Sequence, residues 1–266
     1  KDLFLYSLFS FSPFLINDVL IPNHVFWDQN RYVILANEIR SNWLLGNFLP
    51  PTSDTFKVDE VLVVNNNSLD QTALRATEAG ARVVNEQIKG YGSALFRGMK
   101  EAKGDWIVLV EADGTFAASD LDKFFCYMND CDMVVGTRTT RQMSEQASHM
   151  TIFVRWGNVF AAKLIELLWY VPHEPRLTDV GCTYRLLSRE TFQIISPGLS
   201  EKGPGFSPEM ICEAIANSLR VIEIPIYYLP RIAGKSNHSN NLFRLSLTAM
   251  KMFRVIFSKR LTFFKK

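Results

Sequence analysis

Residues 106–116 read WIVLVEADGTF, an apolar run that ends abruptly in two acidic residues, Glu111 and Asp113. An uninterrupted apolar run of this kind is typical of a strand that is covered on both faces. A carboxylate buried there without a partner would be costly, so the acidic pair has no packing role. At a strand end the two carboxylates can hold Mg²⁺ or Mn²⁺, because hard cations take carboxylate and phosphate oxygens together. The stretch therefore predicts a buried strand followed either by metal ligands or by a loop of solvated charges.

The sequence around this strand alternates short β-branched runs with helical stretches. Alternation of this kind predicts a parallel sheet covered by helices on both faces, which binds ligands beyond the carboxyl ends of its strands. The second half of the chain is less regular, and its pattern predicts two helices and one strand. The predicted strands lie at 32–36, 58–64, 81–85, 106–110, 133–136 and 221–229, and the predicted helices at 38–48, 71–79, 93–102, 118–128, 153–170 and 242–256.

Charge is distributed unevenly along the 266 residues. From residue 231 to the end there are nine Lys or Arg and no Asp or Glu, whereas the first 230 residues hold 20 basic and 27 acidic side chains. A basic tail suits phosphates or an anionic membrane surface, or it is simply a solvated terminus. Because the basic residues are confined to the tail, nucleic acid is not an expected partner.

Composition excludes several other classes. The hydrophobic fraction of 47% is that of a globular protein. No apolar run reaches the roughly 18 residues of a transmembrane helix. The four cysteines lack paired spacing, which argues against a zinc site or a disulfide framework and fits a reducing compartment such as the cytosol.

Short segments along residues 32–240 resemble, in order, the motifs of family 2 glycosyltransferases. Each segment is a weak signal alone, but the ordered set is specific. They read VILANE at 33–38, VDEVLVVNNNSLDQT at 58–72, KGYGSA at 89–94, EADGTF at 111–116, VGTR at 135–138, TDVGCTYR at 178–185, IEIPIYY at 222–228 and RIAGKS at 231–236.

The resemblance implies a GT-A fold over residues 32–240, a Rossmann-like α/β domain with a mostly parallel mixed sheet. It implies a hexosyltransferase that moves a sugar from a UDP- or GDP-sugar to an acceptor, with Mg²⁺ or Mn²⁺ and with inversion, in cell-envelope glycan synthesis. The likeness extends to dolichyl- and polyprenyl-phosphate mannose or glucose synthases, so a lipid phosphate is the expected acceptor. Residues 241–266 would then form a basic amphipathic helix on the cytoplasmic face of a membrane, or pack on the catalytic domain. Residues 1–31 form an apolar extension of open role.

The same resemblance places donor-binding residues at strand ends and in the turns that follow them. Two glycines would let the backbone approach the donor, just before a helix whose N-terminus favours anions, or they would form a plain turn. For residues 65–68, an ordinary Asx turn is the alternative. The expected donor-binding set is Asn37, Glu38, Asn65, Asn67, Ser68, Lys89, Gly90, Gly92, Glu111, Ala112, Asp113, Arg231 and Lys235.

The resemblance makes Asp113 the main expected metal ligand. Glu111 would be a second ligand or would contact ribose or a metal-bound water, since family members generally carry Asp at its position. Thr115 stands where related mannose synthases carry a further polar ligand. The metal would neutralise the diphosphate as the sugar departs.

Asp179 and Arg138 are the expected catalytic residues. Asp179 would take a proton from an acceptor hydroxyl, or orient groups if the acceptor is an ionised phosphate, and a loop turn or helix cap is its alternative. Arg138 would reach the donor diphosphate or the acceptor phosphate, or form a surface salt bridge. Arg185 is expected to contact the acceptor phosphate or to pair with Asp179. Ser236 is a further acceptor contact, on a Gly-hinged loop suited to closing over the site.

Three other functions are weighed against this one. A soluble or polysaccharide acceptor fits the same motifs. A sugar-nucleotide-binding protein that no longer catalyses would fit Glu111 and Leu35, which replace the family's usual Asp and Pro. A nucleotidyltransferase is disfavoured, because the Gly-rich basic N-terminal loop expected of one is missing from the sequence.

Overall fold

A computed structural model describes residues 31–37, 58–68, 71–111, 115–143, 151–169, 175–229 and 242–263, with the backbone alone for 31–37, 118 and 242–244. The predicted helix at 38–48 lies outside these residues.

Seven strands form one mixed sheet in the order β3-β2-β1-β4-β6-β5-β7. β2 pairs parallel with β3, and β5 pairs parallel with β7, whereas β1 and β6 are antiparallel to both of their neighbours. Five strands therefore run in one direction, and their carboxyl ends meet at one edge of the sheet. The strands are β1 Arg31–Asn37, β2 Val58–Asn65, β3 Arg82–Asn85, β4 Trp106–Glu111, β5 Met133–Thr137, β6 Arg185–Ser188 and β7 Val221–Pro225.

The reversed direction of β1 corrects one sequence expectation. Asn37, at the end of β1, pairs with Val58 at the start of β2, whereas Arg31 pairs with Asn65. Asn37 is thus at the opposite edge from Asn65, roughly 20 Å away at about 3.3 Å per residue. The expectation that Asn37 lies beside the other donor-binding residues is wrong in this structure, because β1 is antiparallel to its neighbours.

The helices cover both faces of the sheet. On one face, Leu62, Ile107 and Leu109 pack with buried residues of α2, α4, α5, α6 and α7. On the other face, Val63 and Val108 pack with α3, so alternate residues of the central strands serve opposite cores. The helices are α1 Thr72–Glu78, α2 Tyr91–Glu101, α3 Leu121–Cys126, α4 Ile152–Leu168, α5 Arg189–Ile195, α6 Phe206–Ala216 and α7 Leu242–Phe263.

The inner side of the C-terminal helix α7 packs against the rest of the domain. Ile256 is fully buried in the larger core and Val255 is 9% exposed, while Phe253 stacks edge-on against Phe160 of α4 at a centroid distance of 5.6 Å. Among the described residues, no helix combines the length and the apolarity needed to cross a bilayer.

Candidate active site

The end of β2 forms a side-chain-stabilised turn at the carboxyl edge. The Asn65 amide donates to the side-chain oxygen of Asn85 at 2.9 Å, and its own oxygen accepts from the backbone N–H (3.1 Å) and the hydroxyl of Ser68. Asn67 has φ +62°, a left-handed conformation that Asn tolerates better than most residues. This geometry matches the Asx turn that the sequence left as an alternative. It also holds three predicted donor-binding residues at the expected edge.

Asn66 lies in the same sequence motif, which assigns it no role, and its side chain makes the hydrogen bonds that organise this region. Its side chain is buried, and its amide donates to the carbonyls of Glu86 at 3.1 Å and Ile88 at 2.8 Å. Its oxygen accepts the N–H of Gly90 at 2.8 Å. Asn66 thus fixes residues 86–90 against the end of β2.

The two glycines serve close packing between chain segments. A Cβ at Gly90, where φ is +152°, would overlap the Lys202 carbonyl, and a Cβ at Gly92 would lie 2.8 Å from the Phe206 Cβ. The N–H groups of Gly92 and Ser93 donate to the Lys202 carbonyl at 2.9 and 3.4 Å. The expectation of a backbone left open for the donor is therefore corrected, because these N–H groups bind the neighbouring loop. Lys89, just before, is exposed.

Glu111, the last residue of β4, belongs to a hydrogen-bonded network. Its carboxylate accepts the Thr183 hydroxyl at 2.6 Å. The Tyr91 hydroxyl lies 2.7 Å from that of Thr183 and 2.6 Å from that of Ser207. Burial, reinforced by the charge of Glu111, raises the pKa of Tyr91 to about 12. Sequence reasoning missed these three hydroxyl residues, because a hydroxyl at a site carries no distinctive spacing.

A buried ion pair joins the ends of β5 and of the loop before β6. Asp179 is fully buried and accepts three bonds from Arg138: from the backbone N–H at 3.0 Å, from Nε at 2.7 Å and from a terminal nitrogen at 2.8 Å. Burial alone would lower the pKa of Arg138, but the charge and hydrogen bonds of Asp179 outweigh it and raise that pKa well above its usual value. The alternative expectation, that Arg138 forms a surface salt bridge, is therefore wrong, because its partner Asp179 is buried. The three bonds from Arg138 and the complete burial of Asp179 suit its carboxylate to holding the guanidinium rather than to meeting an acceptor hydroxyl.

Glu223 of β7 holds the loop that carries Asp179. Its carboxylate accepts the backbone N–H groups of Thr178 and Asp179, the latter at 2.9 Å, together with the Thr178 hydroxyl. Burial raises the pKa of Glu223. From α4, the side-chain oxygen of Asn158 accepts the Gly181 N–H at 2.9 Å. The loop is therefore attached both to the sheet and to α4.

The hydrogen bonds of Arg185 differ from both contacts that the sequence led us to expect. It is 1% exposed, and its guanidinium donates to the carbonyls of Cys182 and Val180 at 2.9 Å and of Ser207 at 2.7 Å. Burial lowers its pKa. Arg138, and not Arg185, pairs with Asp179. These bonds do not support a contact between Arg185 and an acceptor phosphate, because the guanidinium donates to backbone carbonyls instead.

Several predicted residues lie outside the described part of the chain: Glu38, Ala112, Asp113, Arg231, Lys235 and Ser236. Within the described ranges, no group of three or more His, Cys, Asp or Glu is arranged to hold a metal. Glu111 is the member of the expected metal pair that the structure describes, and its carboxylate at a strand end is of the type that hard cations bind.

The sequence profile described as "Glycosyl transferase family 2" matches residues 39–193. The chain belongs to this family. It is 30% identical over 198 residues to an uncharacterized glycosyltransferase of Mycobacterium tuberculosis, covering 73% of this chain and 85% of that one. It is 27% identical over 220 residues to the undecaprenyl-phosphate mannosyltransferase of Micrococcus luteus, covering 77% of this chain and 85% of the relative.

The fold is also that of a solved glycosyltransferase. Glucosyl-3-phosphoglycerate synthase from Mycobacterium tuberculosis, in a structure with Mn²⁺, UDP-glucose and phosphoglyceric acid, aligns with a TM-score of 0.59 at 18% identity, over 85% of this chain and 76% of that one. The prediction of a GT-A α/β fold is confirmed, as is that of a glycosyltransferase. The protein is an enzyme of family 2 that uses a nucleotide-sugar donor.

Proposed function

We propose that this glycosyltransferase moves a hexose from a UDP- or GDP-sugar to a polyprenyl phosphate, with inversion and with a divalent cation, at the cytoplasmic surface of a membrane. Residues 32–240 would form the catalytic domain, and residues 241–266 the helix that meets the membrane. The observation that carries the choice of acceptor is the bidentate pairing of Asp179 with Arg138.

An acceptor hydroxyl must lose a proton as it attacks, whereas an ionised phosphate is already a nucleophile. Both oxygens of Asp179 accept bonds from Arg138, and an arginine is effectively always protonated. Asp179 is therefore better suited to holding the Arg138 guanidinium than to abstracting a proton. Arg138 keeps 14% of its side chain exposed and would meet a phosphate of the donor or the acceptor.

The donor would lie along the edge formed by the ends of β2 and β4. Asn65, Asn67 and Ser68 would contact base and ribose, near Glu111. Asp113 and Glu111 would hold Mg²⁺ or Mn²⁺, which neutralises charge on the departing diphosphate when bound. The relative solved with Mn²⁺ and UDP-glucose supports this assignment through its shared fold.

The lipid acceptor is supported by the outer faces of α4 and α7. Exposed large apolar side chains are concentrated there, at fractional exposures from 37% to 74%. They are Ile152, Phe153, Trp156, Phe160 and Leu167 on α4, and Leu247, Met250, Phe257 and Leu261 on α7. Exposed apolar side chains in such numbers are typical of an interaction site, and their burial in a lipid interface would contribute about 25 cal/mol per Å² to binding.

Charge on α7 favours an anionic lipid surface. Lys251 and Arg254 are exposed on α7, beside its apolar residues. Each basic residue near an anionic bilayer contributes about 1 kcal/mol to binding. Because α4 also holds the Gly181 N–H through Asn158, this helix contacts the loop that carries Asp179.

Two measurements test the proposal in sequence. Calorimetric titration of UDP, GDP, UDP-glucose and GDP-mannose, with and without Mn²⁺, should give metal-dependent binding of one nucleotide that Asp113→Ala abolishes. Transfer from that donor should then occur to a polyprenyl phosphate in vesicles, and NMR should find the anomeric configuration inverted.

The outcomes separate the alternatives. Binding without transfer to any acceptor would identify a sugar-nucleotide-binding protein that does not catalyse. Transfer to a soluble alcohol in preference to the lipid phosphate would overturn the assignment of the acceptor. No nucleotide binding by the folded protein would contradict the whole proposal.

A further inference from the structure

The inner face of α7 carries a lysine in an unusual setting. Lys259 is 15% exposed, and its ammonium lies 2.8 Å from Glu209 and 2.9 Å from Glu213, both on α6. It also donates to the carbonyl of Gly198. Burial alone would lower the pKa of Lys259, but its hydrogen bonds to the two glutamates outweigh burial and raise it. The lysine therefore remains charged in the interior of the protein.

Glu209 connects this lysine to a loop. Its carboxylate is 1% exposed and accepts the backbone N–H groups of Ser200 at 3.1 Å and Glu201 at 2.9 Å. It also accepts the Ser200 hydroxyl at 3.1 Å. A buried carboxylate needs both hydrogen bonds and a compensating charge, and Lys259 provides that charge. Residues 200–201 are thus held by a carboxylate that depends on α7.

The loop in turn holds the start of α2. The carbonyl of Lys202 accepts the N–H groups of Gly92 and Ser93. Because a Cβ at Gly90 would overlap that carbonyl and a Cβ at Gly92 would overlap the Glu201 carbonyl, the two segments are in direct backbone contact. Gly90 is also bonded to Asn66 at the end of β2. Any displacement of residues 200–202 would therefore displace the turn at 89–92.

We propose that Lys259 is a positioning residue for the donor site: by pairing with Glu209 and holding its carboxylate in place, it fixes residues 200–202 and, through them, the turn at 89–92. The C-terminal helix then does more than contact a surface, because its inner face sets the geometry of the edge where the nucleotide binds. The inference rests on the proposed function for its consequence, weaker donor binding, but its structural part can be measured separately.

The main variant is Lys259→Met, which matches the aliphatic part of the lysine side chain and removes the ammonium. Two readouts are taken: nucleotide affinity by calorimetry with Mn²⁺, and amide hydrogen exchange at 89–93 and 200–203. We expect affinity to fall roughly tenfold, equivalent to losing one charge-assisted hydrogen bond, and exchange to accelerate in both segments. Saturating donor should restore most of the turnover, so that KM rises more than kcat falls.

Matched controls separate positioning from general destabilisation. Lys259→Arg keeps the charge and should bind nucleotide within about twofold of wild type. Lys100→Met removes an exposed lysine from the last turn of α2 and should leave both readouts unchanged. If Lys259→Met does not fold, Glu209→Gln serves instead, because a neutral amide needs no ammonium yet cannot accept all the loop N–H groups.

The two proposals fail in different ways. If wild type binds a nucleotide and folded Lys259→Met binds it equally well, the positioning role is overturned while the proposed function stands. If wild type binds no nucleotide, the proposed function fails, and exchange at 89–93 alone decides the coupling. Unchanged amide exchange at 89–93 in folded Lys259→Met would overturn the coupling between Lys259 and this turn.

Discussion

The two sides of the candidate site are stabilised by different kinds of interaction. The side proposed to bind the donor, residues 65–68 and 86–92, is held directly by neutral amides and backbone groups, with Asn66 at its centre, and depends on buried charge only indirectly through residues 200–202. The side proposed to meet the acceptor, residues 178–185 with Arg138, is held by buried charges. Neutral hydrogen bonds each contribute about 1 kcal/mol, whereas leaving a buried charge without its partner costs several times more. The acceptor side should therefore be far more sensitive to single substitutions.

The largest expected effect comes from breaking the buried ion pair. Arg138→Met leaves Asp179 buried without its cation and should reduce the free energy of unfolding by about 3–5 kcal/mol. Urea denaturation followed by circular dichroism measures this, and sugar transfer should be lost in the same variant. Arg75→Met, which removes an exposed partner of Glu78, is the control and should unfold like wild type.

A double variant distinguishes stability from function on the acceptor side. Arg138→Met with Asp179→Leu removes both charges and should recover most of the lost stability, since a well-packed apolar pair often replaces a buried ion pair at little cost. Transfer should stay absent if Arg138 contacts a phosphate. Recovery of transfer in the double variant would mean that the pair is purely structural.

The donor side is better tested through its packing than through its charges. Gly92→Ala places a Cβ in overlap with the Glu201 carbonyl oxygen and 2.8 Å from the Phe206 Cβ, and it should destabilise the protein by about 1–3 kcal/mol. Gly157→Ala is the matched control, because nothing lies within 4 Å of the added carbon on the exposed side of α4. There the higher helix propensity of Ala should stabilise by about 0.5–1 kcal/mol. Thermal unfolding measures both variants, and unfolding midpoints that shifted in the same direction would contradict this account.

The sequence predicted the elements that have a clear period. The strands expected at 58–64, 81–85, 106–110 and 133–136 and the helices at 71–79, 93–102 and 153–170 are confirmed, to within a few residues at their ends. The helix expected at 118–128 is shorter, and the strand expected at 221–229 ends at Pro225. Helix α5 was missed because its seven residues span only about two turns, too few to reveal a helical period.

The site was predictable in outline only. Residue order places Asn65, Glu111 and Arg138 at strand ends, and a parallel sheet brings those ends together. The partners of buried charges depend on tertiary packing, so the choice between Arg138 and Arg185 for Asp179 could not be read from spacing. The direction of β1 was equally inaccessible, since a short apolar run pairs in either sense.

The smallest expected effect is a pH dependence where the two sides meet, at Tyr91. Its pKa is raised from 10 to about 12, mainly by burial, so the folded protein resists the phenolate that the unfolded chain forms freely. The stability that Tyr91 contributes is then complete below pH 10 and is lost as the pH rises from 10 towards 12. Between pH 9 and 11, wild type should lose about 1 kcal/mol more unfolding free energy than Tyr91→Phe, which cannot ionise. Urea denaturation of both proteins at the two pH values measures the difference, and equal losses would mean that the hydroxyl is open to solvent and that the Tyr91–Thr183–Glu111 network does not persist in solution.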